Sequence, residues 1–276
     1  MSTYRELLQS GRELLKHSEI ADADVDAWYL LAYVFKMNRT DLLLRGDLVA
    51  PAEQEVTYRS MLLLRADHIP LQHITGTQEF MGLEFDVSPD VLIPRQDTEV
   101  LVEEVLRVSE GRKVLDMCTG SGCIMISIAS IGRPSRAVGV DISDKALEIA
   151  AGNAKKNGVS IELYQSDLFS KITGTYDIIV SNPPYIPTRD IDELMPEVRE
   201  HEPILALDGS EDGLIFYRRI STGARSFLNK GGFLFYEIGY NQGEAVKQIL
   251  LQEGFTDVMI KKDLSGLDRV VSARKL

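Results

Sequence analysis

The sequence predicts an α/β protein: a doubly wound, mostly parallel, seven-stranded sheet, preceded by a small helical bundle and joined to it by a β-hairpin bridge. Three observations carry this prediction. From Asp97 onward, strand-like and helical runs alternate, the pattern of a parallel sheet with covering helices. The strand runs there are nearly continuous in apolar residues, as strands buried on both faces are. Up to Thr75 the apolar residues recur instead at helical spacing.

The spacing predicts three helices in residues 1–75. Tyr4, Leu7, Leu8, Gly11, Leu14 and Leu15 form the first stripe, behind a Thr3-x-x-Glu6 capping box. Val25, Trp28, Ala32 and Phe35 form the second, with Asp22 or Asp24 as its cap and the Asp22-Asp24-Asp26 run as a solvated helix start. Val56, Met61, Leu63 and Leu64 form the third, after Pro51. In residues 76–96, glycines and prolines punctuate short extended pieces, with a hairpin across Met81-Gly82 and a third piece at Val91-Leu92-Ile93. The sheet domain, residues 97–276, opens with a helix near 98–108. Strands follow at about 113–116, 137–141, 161–164 and 176–180, with helices near 122–131 and 144–157 between them. The remainder reads as helix 213–229, strand 232–238, helix 241–253 and an antiparallel pair near 256–262 and 268–273.

Composition narrows the function classes. The 276 residues are 44% hydrophobic and 26% charged, which suits a globular chain with a sizeable core. The formal charge of −12 counts against a duplex-DNA partner, because DNA binders attract phosphates with a basic patch. The helical segment carries 8 basic and 11 acidic residues and is not a phosphate binder either. Cys118 and Cys123 form no CxxC pair, and His17, His68, His73 and His201 have no metal spacing, so no metal site is expected. The amino terminus lacks a signal-peptide pattern, and no apolar run reaches the ~18 residues of a membrane span. The expectation is a soluble, cytoplasmic monomer that contacts no membrane. Trp28 is expected in the core of its helical stripe.

Two short elements carry chemistry. Cys118, Thr119, Gly120, Ser121 and Gly122 join a buried strand, ending in Asp116, to a helix; the glycines let the backbone turn tightly and approach a ligand. Asp141 ends the next strand, 21 residues after Gly120, where a carboxylate can accept from both ribose hydroxyls. The pair reads as a nucleoside site, or as a tight turn beside two acids. Position 125 is Met where a dinucleotide fold favours a third glycine. Asp116 is expected as an anion unsuited to a pyrophosphate and suited to a sulfonium and ammonium ligand such as S-adenosylmethionine. Asp167 is either the acceptor of an adenine amino group, with Leu168 and Phe169 as an apolar wall, or a solvated loop acid. The second element, Asn182-Pro183-Pro184-Tyr185, ends a buried strand. The prolines stiffen it and leave carbonyl acceptors, Asn182 adds a side-chain oxygen, and Tyr185 adds an aromatic surface. Such acceptors suit a planar NH2 group, hence methylation of an amide or aminoaromatic nitrogen. Asp116, Asp141 and Asn182 all fall at carboxyl ends of strands, where open parallel sheets bind ligands.

With these residues in place, the sequence resembles the class I S-adenosylmethionine-dependent methyltransferases, with their Rossmann-like sheet. More narrowly, it is similar to the protein-(glutamine-N5) methyltransferases that modify peptide-chain release factors. The resemblance runs over essentially the whole chain. Besides Asn182–Tyr185, it rests on His68-Ile-Pro-Leu-Gln-His-Ile-Thr-Gly76, Leu92-Ile-Pro-Arg-Gln-Asp-Thr-Glu99, His201-Glu-Pro-x4-Asp208-Gly209 and Tyr236-Glu-Ile-Gly-Tyr-Asn-Gln242. It implies that Asn182 and the Pro183 carbonyl grip the glutamine of a Gly-Gly-Gln loop, and that Pro184 and Tyr185 shape its slot. It further implies that Cys118–Gly122, Asp141, Asp167, Leu168 and Asn182 line the cofactor, that the segment around Arg95 and Glu99 lies by the crevice, and that the helical domain engages the release factor. Three positions depart from the family pattern: Gln96 where Pro is frequent, Cys118 where Gly is frequent, and Leu168 where some members carry an aromatic. Two other readings fit some of these residues, a DNA adenine-N6 methyltransferase and a non-catalytic methyltransferase-like binding module. The first would need extra recognition elements and a basic groove, against the acidic balance of the chain, and the intact acceptor motif argues against the second.

Overall fold

The computed structural model describes residues 2–276. They form two compact units: the residues up to Gly76 with Met195–His201, and Thr77–Leu194 with Glu202–Leu276.

The first unit is helical: α1 (Tyr4–His17), α2 (Ala23–Phe35), α3 (Arg39–Arg45), α4 (Ala52–Ala66) and α5 (Leu71–Thr75). The Thr3/Glu6 capping box opens α1, with Thr3 N–H donating to Glu6 at 2.8 Å and Glu6 N–H to Thr3 Oγ1 at 3.2 Å. An equivalent Asn38/Asp41 box opens α3, a helix the periodicity does not predict. Asp22 occupies the N-cap position of α2 without a side-chain cap bond. The core gathers Leu7, Leu8 and Leu15 of α1, Ala27, Trp28, Leu30 and Leu31 of α2, and Tyr58 and Leu62 of α4. Each leucine so buried contributes about 1.5–3 kcal/mol.

Two predicted stripes are rotated. Val25 of α2 is exposed. On α4, Val56, Leu63 and Leu64 face solvent, while Tyr58, Leu62 and Arg65 turn inward. The run Met61-Leu62-Leu63-Leu64 is apolar on every side, so polar anchors choose the face. Tyr58 Oη donates to the Ala27 carbonyl at 3.1 Å. Arg65 donates to Asp26 at 2.7 Å and to Glu197 at 2.9 Å, which fastens the distant segment Met195–His201 to this bundle.

The second unit begins with the hairpin β1 (Thr77–Phe80) and β2 (Leu83–Asp86), paired antiparallel across Met81-Gly82. Both turn residues have positive φ, as a tight two-residue turn demands. Phe80 and Phe85 enter the same core as α6 (Asp97–Leu106). Val91-Leu92-Ile93 forms no strand; Val91 and Ile93 are buried from a loop. Then come β3 (Lys113–Met117), α7 (Cys123–Ile131), β4 (Arg136–Asp141), α8 (Asp144–Lys156), β5 (Glu162–Gln165) and β6 (Tyr176–Ser181). A 3-10 helix (Thr188–Glu193), α9 (Pro196–His201, placed above in the first unit) and α10 (Ile204–Leu207) follow. Sequence periodicity assigns no element to these pieces. The chain ends with α11 (Ile215–Phe227), β7 (Leu228–Glu237), α12 (Gly243–Gln252), β8 (Thr256–Lys262) and β9 (Asp268–Arg274).

The seven strands run in the order β5-β4-β3-β6-β7-β9-β8. The first five are mutually parallel; β9 pairs antiparallel with both β7 and β8, so β8 runs the same way as the first five. The predicted doubly wound, mostly parallel sheet is therefore present. Its strand order reverses between β3 and β6, and a crevice opens there at the carboxyl ends.

Candidate active site

A cavity of about 440 Å³ lies at those carboxyl ends. The segments following β3, β4, β5 and β6 each contribute to its wall: Cys118–Ser121, Asp141–Ser143, Ser166–Leu168, and Asn182 with Pro184. Its volume falls within the ~300–1,000 Å³ typical of small-molecule sites.

The loop after β3 is shaped by left-handed backbone at Cys118 (φ 61°), Gly120 (φ 54°) and Gly122 (φ 81°). A Cβ on Gly120 would meet nothing within 4 Å, so the space beside it is open. On Gly122 it would lie 2.8 Å from Ile126 and 3.1 Å from Ala150, so that glycine serves helix packing and lies outside the cavity wall. Gly120 N–H donates to Asp141 at 2.9 Å, and Ser143 N–H donates to the other Asp141 oxygen at 3.0 Å. Each carboxylate oxygen keeps acceptor capacity for a ligand. Burial raises the Asp141 pKa, and these backbone donors oppose the rise.

Asp116 departs from expectation. It is wholly buried, absent from the cavity wall, and receives the Thr119 hydroxyl at 2.5 Å. Burial pushes its pKa up to about 7, and its place behind the wall keeps it from meeting a ligand in the cavity as the anion foreseen. Its work is to hold Thr119 under the loop. The acids that do line the cavity are Asp90, Asp141 and Asp167. Asp167 is bound by both oxygens to Arg219 of α11, at 2.8 and 2.9 Å. Leu168 lines the cavity at a left-handed φ of 48°. Phe169 does not; it stacks on Phe227 in the core, and Phe216 of α11 takes the wall position instead.

The acceptor motif follows β6 directly. Ser181 Oγ donates to the Met117 carbonyl at 2.7 Å, tying the ends of β6 and β3 together. Asn182 is half-buried, and its Nδ2 donates to Thr98 Oγ1 at 3.4 Å. That contact uses the amide nitrogen and leaves the carbonyl oxygen as the acceptor. Asn182 and Pro184 line the cavity, whereas Pro183 and Tyr185 do not. The Tyr185 hydroxyl lies 3.5 Å from Glu237 Oε1 at the end of β7. Burial pushes the Tyr185 phenol up, and it drives Glu237 to about 7. Glu237 Oε2 has no hydrogen-bond partner, although the Thr98 hydroxyl is near enough to draw the pKa back down.

Arg95 also lines the cavity and pairs at 2.6 Å with Glu202, whose side chain is almost fully buried. Glu99 accepts the Met81 N–H at 2.7 Å and stays outside the wall. Thr98, within the segment expected by the crevice, lines the wall, and Phe216 and Arg219 are site residues that motif reading missed. Among the described residues, no group of three or more His, Cys, Asp or Glu could hold a metal ion.

A family model of the PrmC N-terminal domain matches residues 6–76, and one of the methyltransferase small domain matches residues 95–198. The release factor glutamine methyltransferase of Geobacter sulfurreducens is 42% identical over 274 residues, covering 99% of this chain and 96% of that protein. The chain belongs to the release factor glutamine methyltransferase family. The Clostridium botulinum relative of the same name is 39% identical over 279 residues, covering 98% of this methyltransferase and 99% of that protein. A crystal structure of a methyltransferase from Pyrococcus furiosus shares the fold, with a TM-score of 0.54 at 16% identity over 79% of this chain and 98% of that one. The methyltransferase has a left-handed backbone at Cys118, the conformation that glycine adopts freely.

Proposed function

We propose that this enzyme uses S-adenosylmethionine to methylate the side-chain nitrogen, N5, of the glutamine in a Gly-Gly-Gln loop of a peptide-chain release factor, a cytoplasmic reaction that supports translation termination. The observation that carries this reading is the Asn182 amide at the cavity wall, its nitrogen engaged by Thr98 and its oxygen left to accept.

The cavity suits that cofactor. The open space beside Gly120 allows close backbone approach, and Asp141 retains acceptor sites for a ribose. Ile142, Leu168 and Phe216 offer apolar surface for a base. When bound, the cofactor supplies a sulfonium-borne methyl group as electrophile.

A carboxamide nitrogen is a poor nucleophile because its lone pair is delocalised into the carbonyl. As its new bond forms it gains positive character, and its N–H groups donate more strongly. In this reading the Asn182 oxygen and the carbonyl of Pro183, which stands between the wall residues Asn182 and Pro184 and is not itself in the wall, accept those two hydrogens, stabilising the transition state more than the bound substrate. Pro184 stiffens the segment, so the acceptors need little rearrangement. Holding a reactant in near-attack geometry lowers a barrier by roughly 7–11 kcal/mol. No strong base is required, because the N–H becomes acidic once the nitrogen is alkylated.

Mass spectrometry of a release factor incubated with enzyme and cofactor tests the proposal directly. A gain of one methyl group on the glutamine is expected, with no label on a DNA control. Absence of the modified glutamine, or label on DNA, would overturn it. Asn182→Ala should lower kcat at least about 100-fold, the scale of losing a positioned donor or acceptor, with cofactor affinity nearly unchanged. Asp141→Ala should weaken cofactor binding in calorimetry while the enzyme stays folded.

A further inference from the structure

The acceptor motif is held from behind by a residue outside the cavity. Gln242 lies just before α12 and is 8% exposed. Its Nε2 donates to the Tyr185 carbonyl at 2.9 Å and to the Gly213 carbonyl at 3.3 Å, which uses both amide hydrogens. Its Oε1 accepts the Gly239 N–H at 3.0 Å, so the amide cannot flip without losing bonds on both sides. The Tyr217 hydroxyl, 3.4 Å from the same oxygen, gives its one proton to the closer Glu237 carbonyl at 2.9 Å.

Two glycines open the space for this contact. A Cβ on Gly213 would clash with the Tyr185 carbonyl and lie 2.7 Å from Gln242 Nε2. A Cβ on Gly209 would lie 2.8 Å from Tyr185 Cα. Both pack the backbone of the acceptor motif close against its support. Between the Pro183 and Tyr185 carbonyls the ring of Pro184 fixes φ and so removes one of the torsions through which a shift could relax. Part of a shift at the Tyr185 carbonyl is therefore passed on to the Pro183 carbonyl.

We propose that Gln242 is a positioning residue for methyl transfer: it clamps the Tyr185 carbonyl and thereby fixes the Pro183 carbonyl where the substrate nitrogen meets it. The proposal rests on the acceptor role given to Pro183 above. A glutamate in its place would keep the shape but aim a carboxylate at two carbonyls; a methionine would keep the volume and lose the bonds.

The test compares Gln242→Glu and Gln242→Met with the full-length wild type, reading kcat and KM on a release factor, cofactor affinity by calorimetry, and thermal stability. The expected result is a kcat about 10- to 100-fold lower in both variants, with KM and cofactor affinity within about threefold. Val246→Ala, a core truncation in α12, serves as the stability control. It should lower the melting temperature and leave kcat at 25 °C near wild type. A folded Gln242→Met with wild-type kcat would overturn the proposal. So would a kcat loss in Val246→Ala as large as in Gln242→Met, since general loosening would then account for both. If Gln242→Glu does not fold, Gln242→Met decides alone. A wild type that methylates no release factor would refute the substrate reading instead, so the two failures are distinct.

Discussion

At the scale of single residues, Cys118 is the clearest case of a local conflict. Its φ of 61° is left-handed, a conformation costing an ordinary residue roughly 1–2 kcal/mol. Cys118→Gly removes that cost and adds the ~0.5–1 kcal/mol of chain entropy that glycine brings. The expected result is a net gain between zero and about 1.5 kcal/mol in urea denaturation, with the loop geometry retained. The structure thus answers the question posed by the family departure: the loop keeps the angle that glycine would adopt freely. Burial raises the Cys118 thiol and pushes Cys123 to about 12, so neither side chain is a thiolate near neutrality.

At the scale of elements, anchoring side chains decide what the apolar pattern leaves open. Arg65 on α4 bridges Asp26 on α2 and Glu197 on α9, and all three are buried or nearly so. Arg65→Ala would leave two carboxylates in a poorly solvated place. A loss of about 3–5 kcal/mol is expected in denaturant unfolding, the scale of breaking a buried pair from one side. Replacing Leu63, exposed on the same helix, by Ala should cost under about 0.5 kcal/mol. These anchors also mark where reading the sequence stops. Strands β3, β4 and β6 are legible because parallel strands buried on both faces are apolar throughout, and Asn182–Tyr185 is legible because its chemistry is local. Thr98 and Arg219 meet Asn182 and Asp167 from 84 and 52 residues away, and no spacing rule reaches that far. The 3-10 helix, α9 and α10 are four to six residues long, too short for an apolar period to emerge.

At the scale of the whole molecule, buried carboxyls set a pH dependence. Burial raises Asp116 from 3.8 and Glu237 from 4.5, each to about 7. The folded state therefore binds more protons than the unfolded chain between roughly pH 4 and 7. Stability from these groups is fully present below the unfolded values and is lost as pH rises through about 7. Glu237→Gln should flatten that part of the curve, measured as denaturant midpoints at pH 5 and pH 8. Glu162, lowered to about 2 mainly by its hydrogen bond with Arg136, acts in the opposite direction; its contribution is present above pH 4.5 and lost as pH falls toward 2.

The strand order has one more consequence, for how copies of the protein behave when crowded. An open sheet has two borders whose unpaired amides can recruit a foreign strand. Here β5 is only four residues long and carries Glu162, while β8 is kinked by two register shifts and studded with Asp257, Lys261 and Lys262. Neither border is a flat, neutral template, so concentrated solutions should resist amyloid-like stacking despite a strongly apolar interior.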